Sequence, residues 1–535
     1  MGVGGRSPGL RTLLALVAAS GLAACTAPPP QGSQGGSLPG PSFSTPPTSL
    51  RLAITEPPSL DPAELSTPDS LLLAAQLFDG LVGYDPVTLE TIPAAAERWE
   101  VEDDGRRFVF HLRRGAKFHD GTAVTAQDFR AAWNRLADPV AANPFAFLLE
   151  PVQGFGEYQT KARITGLSGV VARDERTLEV MLAEPWPDFP ALLGHPALSP
   201  VPASTGPGGA GRQPVGNGPY RLTNPLTPRG PIAMERFDDY YGPSPGIQTL
   251  EGRTYEDPEA GWPEFLSGDL EVAPIPGPVL PEALSRYGDQ GIVTLARLVY
   301  CAFDRSEPRF QDPALSQAVS LAVDREALAQ GVYGGLAVPA TGMVPPSIPG
   351  GPPDACGQGC RQDRAQAQAM VRRLPRESRS FALDYAASPA GDRLAAELSS
   401  QLAEVGLRAT PRPHNEVEYR ALLNSGDQQM FCLVWLADYP RPQALLEPLL
   451  RADSEDNQAR IADERLDAML AQARAETRPA PMEVLYAQAE RRALAQMYLV
   501  PLVWFRSHLA VQPYVDGFAL DPLARFDAAT LAISP

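Results

Sequence analysis

Apolar and polar positions follow two rhythms along the chain. Leu50-Arg51-Leu52-Ala53-Ile54 alternates with period two and predicts a half-buried strand. The same alternation in Phe108-Val109-Phe110-His111-Leu112, after Ala96-Glu97-Arg98-Trp99-Glu100-Val101 and an Asp103-Asp104-Gly105 turn, predicts a β-hairpin. Thr177 to Leu182 predicts another strand. Helix starts are marked by caps: Thr67, Asp69 or Ser70 after the Leu60-Asp61-Pro62 turn, and Thr125 further on. Met430 to Val434 is a continuous apolar run that predicts a buried strand, and Trp435-Leu436-Ala437-Asp438-Tyr439-Pro440 follows it. A carboxylate at the mouth of such a strand must find a cation, a donor or water, because burying it unpaired is costly. A ligand's ammonium group is the obvious external partner.

Composition widens this picture to mixed α/β architecture. At 535 residues the chain exceeds the size of a single core, which predicts two or three domains. The 58 prolines and 46 glycines predict many turns and long connections rather than a helical bundle. A net charge of −18 with no basic stripe excludes a nucleic-acid partner.

The N-terminus predicts export. Arg6 and Arg11 precede an apolar stretch from Leu13 to Ala24, giving a signal peptide over residues 1–24 that is too short for a permanent span. Leu22-Ala23-Ala24-Cys25 resembles a bacterial lipobox, which implies lipid attachment at Cys25 and anchoring on the extracytoplasmic face of the cell membrane. Residues 25–47, rich in Pro, Gly and Ser, read as a flexible tether.

No catalytic apparatus is visible. The chain has no HExxH, GxSxG or P-loop pattern, and Asp103 and Asp104 belong to a turn. The GxGxxG spelling at Gly206, Gly208 and Gly211 lacks the strand and helix a dinucleotide fingerprint needs. The five histidines show no metal-ligand spacing, so neither metal nor cofactor is expected. In an oxidising compartment, Cys356-Gly357-Gln358-Gly359-Cys360 is spaced for a local disulfide, whereas Cys301 and Cys432, both in apolar strand-like runs, either bridge or stay as buried thiols.

Several motifs follow one another in a characteristic order: Leu77-Phe78-Asp79-Gly80-Leu81, the run Arg113 to Phe129, Val215-Gly216-Asn217-Gly218-Pro219-Tyr220, Tyr240-Tyr241-Gly242, Ala322-Val323-Asp324-Arg325-Glu326, Val344-Pro345-Pro346, Trp435 to Pro440, Tyr486 to Glu490 and Asp521-Pro522-Leu523. The ordered set resembles extracellular solute-binding proteins of the peptide and nickel importer family (family 5), and most closely the oligopeptide-binding lipoproteins of ABC transporters. The resemblance implies a two-lobed periplasmic-binding-protein-like α/β fold of type II, in its large peptide-binding subclass. Residues 48–80, 203–299 and 507–535 would form lobe I, 81–202 an inserted small domain, and 300–506 lobe II. It also implies a monomeric, non-enzymatic receptor that hands an oligopeptide or peptide-like ligand to permease and ATPase subunits.

In the site so implied, Asp438 takes the acid position that binds a peptide's α-ammonium, with Val434, Trp435, Leu436 and Tyr439 around it. Ser66, Thr67, Pro68, Phe145, Tyr333, Cys432 and Phe505 match further ligand-lining positions. Cys432, Gly391 and Tyr333 depart from the basic residues or histidine that relatives carry, so no anchor for a ligand carboxylate is evident. Arg441 reads as a solvated loop charge or a second cation for the site. The alternatives are a receptor for another cationic or peptide-like solute, such as a metal chelate or modified amino acid, and a peptide-sensing envelope lipoprotein that does not transport.

Overall fold

The computed structural model describes residues 48–161, 164–206 and 209–534. The expected signal peptide, Cys25, the expected tether and Gly208 of the glycine run lie outside them. Among the described residues no helix is long and apolar enough to cross a membrane.

Three sheets organise the chain. The first runs in the order Leu509–Val511, Val272–Pro274, Ser49–Thr55, Thr249–Tyr255, Ile232–Arg236, Tyr220–Leu222. Its central strand, Ser49–Thr55, pairs in parallel with Thr249–Tyr255 and buries Leu50, Leu52 and Ile54. The second contains Ala337–Pro339, Val500–Arg506, Thr294–Phe303, Met430–Leu436, Ser380–Ala386 and Arg408–His414. The third, between them in sequence, joins Ala96–Glu102, Arg107–Leu112, Thr177–Met181 and Val170–Ala172. We call these units lobe I, lobe II and the inserted domain. Strand Thr294–Phe303 lies wholly in the lobe II sheet, so a border at residue 300 would cut through it.

The hairpin from Ala96 to Leu112 turns through left-handed backbone at Asp103 and Asp104 (φ 51° and 54°) and at Gly105 (φ 88°). A Cβ on Gly105 would come within 2.6 Å of the Pro187 nitrogen, so glycine is required there for space as well as for its backbone angle. Thr67 and Thr125 both close capping boxes, with Ser70 and Asp128 respectively.

The motifs that carry the resemblance meet in space. Asn217 exchanges two hydrogen bonds with the Asp79 backbone, each 3.0 Å, while the Tyr240 and Tyr241 hydroxyls donate to the Asp79 carboxylate. Burial pushes that carboxyl up to about 6. Glu490 accepts the backbone N–H groups of Met343 and Val344, and Arg325 donates to carbonyls of Pro501, Ser320 and Cys360. Lys117 pairs with Asp239, and His119 is held between Gly216 and Gly218. These residues fix one segment to another.

One core runs through lobe I, the inserted domain and one face of the lobe II sheet. A second lies on that sheet's other face and holds Cys301, Cys432, Met430 and Val503. Cys301 and Cys432 stand directly opposite on antiparallel strands, Cα atoms 4.0 Å apart, and are joined as a disulfide; Cys356 and Cys360 form another. The Cys432 thiol is therefore not available to a ligand: its sulfur is bonded to Cys301 and its side chain is part of the second core.

Candidate ligand-binding cleft

Strand Met430–Leu436 is apolar because both its faces are covered. Its end delivers Trp435, Leu436, Ala437 and Asp438 to an open cleft. The ladder persists one residue past the strand, since the Ala437 N–H donates to the Ala296 carbonyl at 2.9 Å. The Trp435 indole N–H donates to the Ala444 carbonyl at 2.8 Å and ties the strand end to helix Gln443–Leu450. Asp438, partly buried, thus sits on a rigid support at the lip of the lobe II sheet.

The opposite wall comes from distant segments. Leu71 projects from helix Pro68–Leu77, Phe145, Phe147 and His195 come from the inserted domain, and Leu523 and Arg525 come from the C-terminal segment. His195 packs 4.4 Å from the Phe145 ring and accepts the Ala197 N–H at Nδ1. Burial first, and then the field of Arg525, push its imidazole down to about 3, so it is neutral near pH 7. Arg525 is held by Asp521 at 3.1 Å beside the Tyr84 ring. The lining is mainly apolar, and its charged side chains are Asp438 and Arg525.

The residues expected at the site lie in different parts of the fold. Asp438, Trp435, Leu436 and Phe145 meet in the cleft. Ser66, Thr67 and Pro68 form the cap of the helix that presents Leu71, with Ser70 Oγ accepting the Ser66 and Thr67 N–H groups. Val434, Tyr333 and Phe505 each pack against the second core, with the Tyr333 and Phe505 rings 5.2 Å apart edge to face. Tyr439 lies behind the cleft wall, buried and 6.0 Å from the Trp186 ring. Arg441 is neither a solvated charge nor a cleft cation: it reaches Asp188 at 2.9 Å, the Leu89 carbonyl at 2.9 Å and Thr91 at 3.3 Å, fastening lobe II to the inserted domain.

Leu71, Phe147, His195, Leu523 and Arg525 were not expected in the lining, and Phe147 and His195 carry no sequence pattern that marks them. Weak signals exist in two cases. Leu71 follows the capped Thr67-Pro68 start by one helical turn, and Arg525 follows the Asp521-Pro522-Leu523 motif.

Two lobes, an inserted domain and a cleft ended by an acid define a solute-binding protein. The profile of bacterial extracellular solute-binding proteins, family 5, matches residues 90–457, and the chain belongs to that family. Its members are binding proteins, and this chain is a binding protein rather than an enzyme. It is 30% identical over 482 residues to the probable deoxycholate-binding periplasmic protein YgiS of Escherichia coli, covering 87% of this chain and 89% of that one. It is 29% identical over 504 residues to the periplasmic oligopeptide-binding protein OppA of the same species, covering 88% and 89%. The unliganded open form of the periplasmic murein tripeptide binding protein MppA superposes with a TM-score of 0.77 at 25% identity, over 91% of this chain and 97% of that one.

Proposed function

We propose that this protein is the substrate-binding lipoprotein of an ABC importer, anchored through Cys25, which captures oligopeptides between its lobes and presents them to a permease driven by ATPase subunits. The observation that carries this reading is Asp438, an acid fixed at the end of an apolar strand and facing a largely apolar cleft. An α-ammonium placed there makes a charge-assisted hydrogen bond out of bulk water. Val434 to Leu436 offers strand backbone to an extended ligand, a mode that tolerates varied side chains.

A second reading, a receptor for an amphipathic carboxylate, is favoured by the apolar lining of Leu71, Phe145, Phe147 and Leu523 and by the likeness to YgiS. Mass spectrometry of ligands released from protein purified out of rich medium separates the two: peptides support the first, sterol-like acids alone defeat it. For the mechanism, Asp438→Asn is expected to weaken trialanine binding about a hundredfold, in the range for truncating one partner of an enclosed charge pair. N-acetyl trialanine should bind both proteins equally poorly. Unchanged trialanine affinity in Asp438→Asn removes the acid from the site.

A further inference from the structure

Arg297 sits directly opposite Leu436 in the lobe II sheet, so the two side chains share a face, and Leu436 lines the cleft. The guanidinium lies 4.3 Å from the Phe505 ring centre, and Phe505 in turn packs against Tyr333. On the other side of Tyr333, Arg393 donates to the Val332 carbonyl at 3.2 and 3.3 Å. Both arginines act on the Tyr333 hydroxyl, and among the described residues neither forms an ion pair. Burial pushes Arg297 down to about 10, and Tyr333 acts against that shift. The corner also faces lobe I, since the Gly334 carbonyl is 3.5 Å from where a Cβ on Gly277 would stand.

The cleft-lining Arg525 is paired with Asp521, and the nearby Arg441 with Asp188. A half-buried guanidinium left without an acid costs stability in the empty protein, and a carboxylate arriving with a ligand removes that cost. We propose that Arg297, flanked by Arg393, is the anchor for a carboxylate on the ligand, at the opposite end of the site from Asp438. This rests on the cleft being the ligand site but not on the ligand being a peptide. A strand advances about 3.4 Å per residue, so Leu436 and Asp438 lie about 7 Å apart along it. A zwitterionic peptide would use both anchors, and an apolar acid would use Arg297 alone.

The test is calorimetric titration of ligand-stripped wild type, Arg297→Gln and Arg297→Lys with trialanine, trialanine amide and deoxycholate. Wild type is expected to bind trialanine at least tenfold tighter than its amide. In Arg297→Gln the acid should weaken at least tenfold and its advantage over the amide disappear, with partial recovery in Arg297→Lys. Asp438→Asn should weaken acid and amide alike and preserve their ratio, which separates the failure of one anchor from that of the other. Deoxycholate bound by wild type and weakened tenfold in Arg297→Gln, with trialanine unbound, upholds the carboxylate anchor and sinks the peptide. Equal wild-type affinity for acid and amide, retention of the preference in Arg297→Gln, or binding of no probe overturns the proposal. The wild-type comparison needs no variant to fold. The ligand-free Arg297→Gln protein is expected to melt at or above the wild-type temperature, and a marked drop would assign Arg297 to the fold.

Discussion

His195 shows how a single side chain in the cleft couples site to stability. Its pKa is pushed down to about 3 from 6.5, so folding favours the neutral ring. The resulting stability is complete above pH 6.5 and is lost as pH falls toward 3, because the unfolded chain binds a proton that the folded one refuses. Between pH 7 and pH 4.5 this amounts to on the order of 2 kcal/mol. His119 and His508, both pushed by burial to about 4, act in the same sense. Asp79, raised to about 6, and Glu490, raised to about 7, act in the opposite one. A difference experiment isolates His195. His195→Asn keeps an acceptor for the Ala197 N–H, and urea unfolding at the two pH values should show it losing about 2 kcal/mol less than wild type on acidification. Equal losses in the two proteins would place His195 in contact with water.

Elements built from local signals were legible in the sequence, and those built from distant ones were not. The alternation at Phe108–Leu112 and the Asp-Asp-Gly turn name a hairpin, because both arms and the turn lie within one short window. Thr67 and Thr125 are readable as caps for the same reason. The pairing of Thr294–Phe303 with Met430–Leu436 joins strands far apart in the chain, and nothing near either cysteine reveals that Cys301 faces Cys432. That bridge closes a separation of 131 residues, against 4 for Cys356–Cys360. In the chain-entropy account the long loop is worth about 4–5 kcal/mol and the short one about 2 kcal/mol. Replacing Cys301 and Cys432 together by Ala should therefore lower the unfolding free energy about twice as much as replacing Cys356 and Cys360. Denaturant titration of the two double variants checks the ranking, and the reverse order would show that the long bridge stabilises through something other than chain entropy.

At the scale of the molecule, the acid end of the site was legible because Asp438 terminates a recognisable apolar strand, whereas the facing wall was not. Leu71, His195 and Arg525 reach the cleft from three separate parts of the chain, and only the fold brings them together. Arg441 illustrates the same limit. Its proximity to Asp438 in sequence suggests a place in the site, yet its donors close the seam between lobe II and the inserted domain. Asp188 is penalised by burial, and Arg441 offsets that penalty. The pair is only partly exposed, at 12% and 23% of the two side chains, so removing the cation leaves a costly acid in the seam. Arg441→Ala should shift the ligand-free protein toward separated lobes, because the lost contacts exist only while the seam is closed. Ligand affinity then falls with the fraction of closed molecules, by up to about tenfold if the closed state drops to a tenth of the population. Asp188→Asn/Arg441→Ala should recover part of that loss by removing the stranded charge. Small-angle scattering of the ligand-free proteins reads the radius of gyration directly, and an Arg441→Ala curve superposable on wild type would show that the lobes are held together elsewhere.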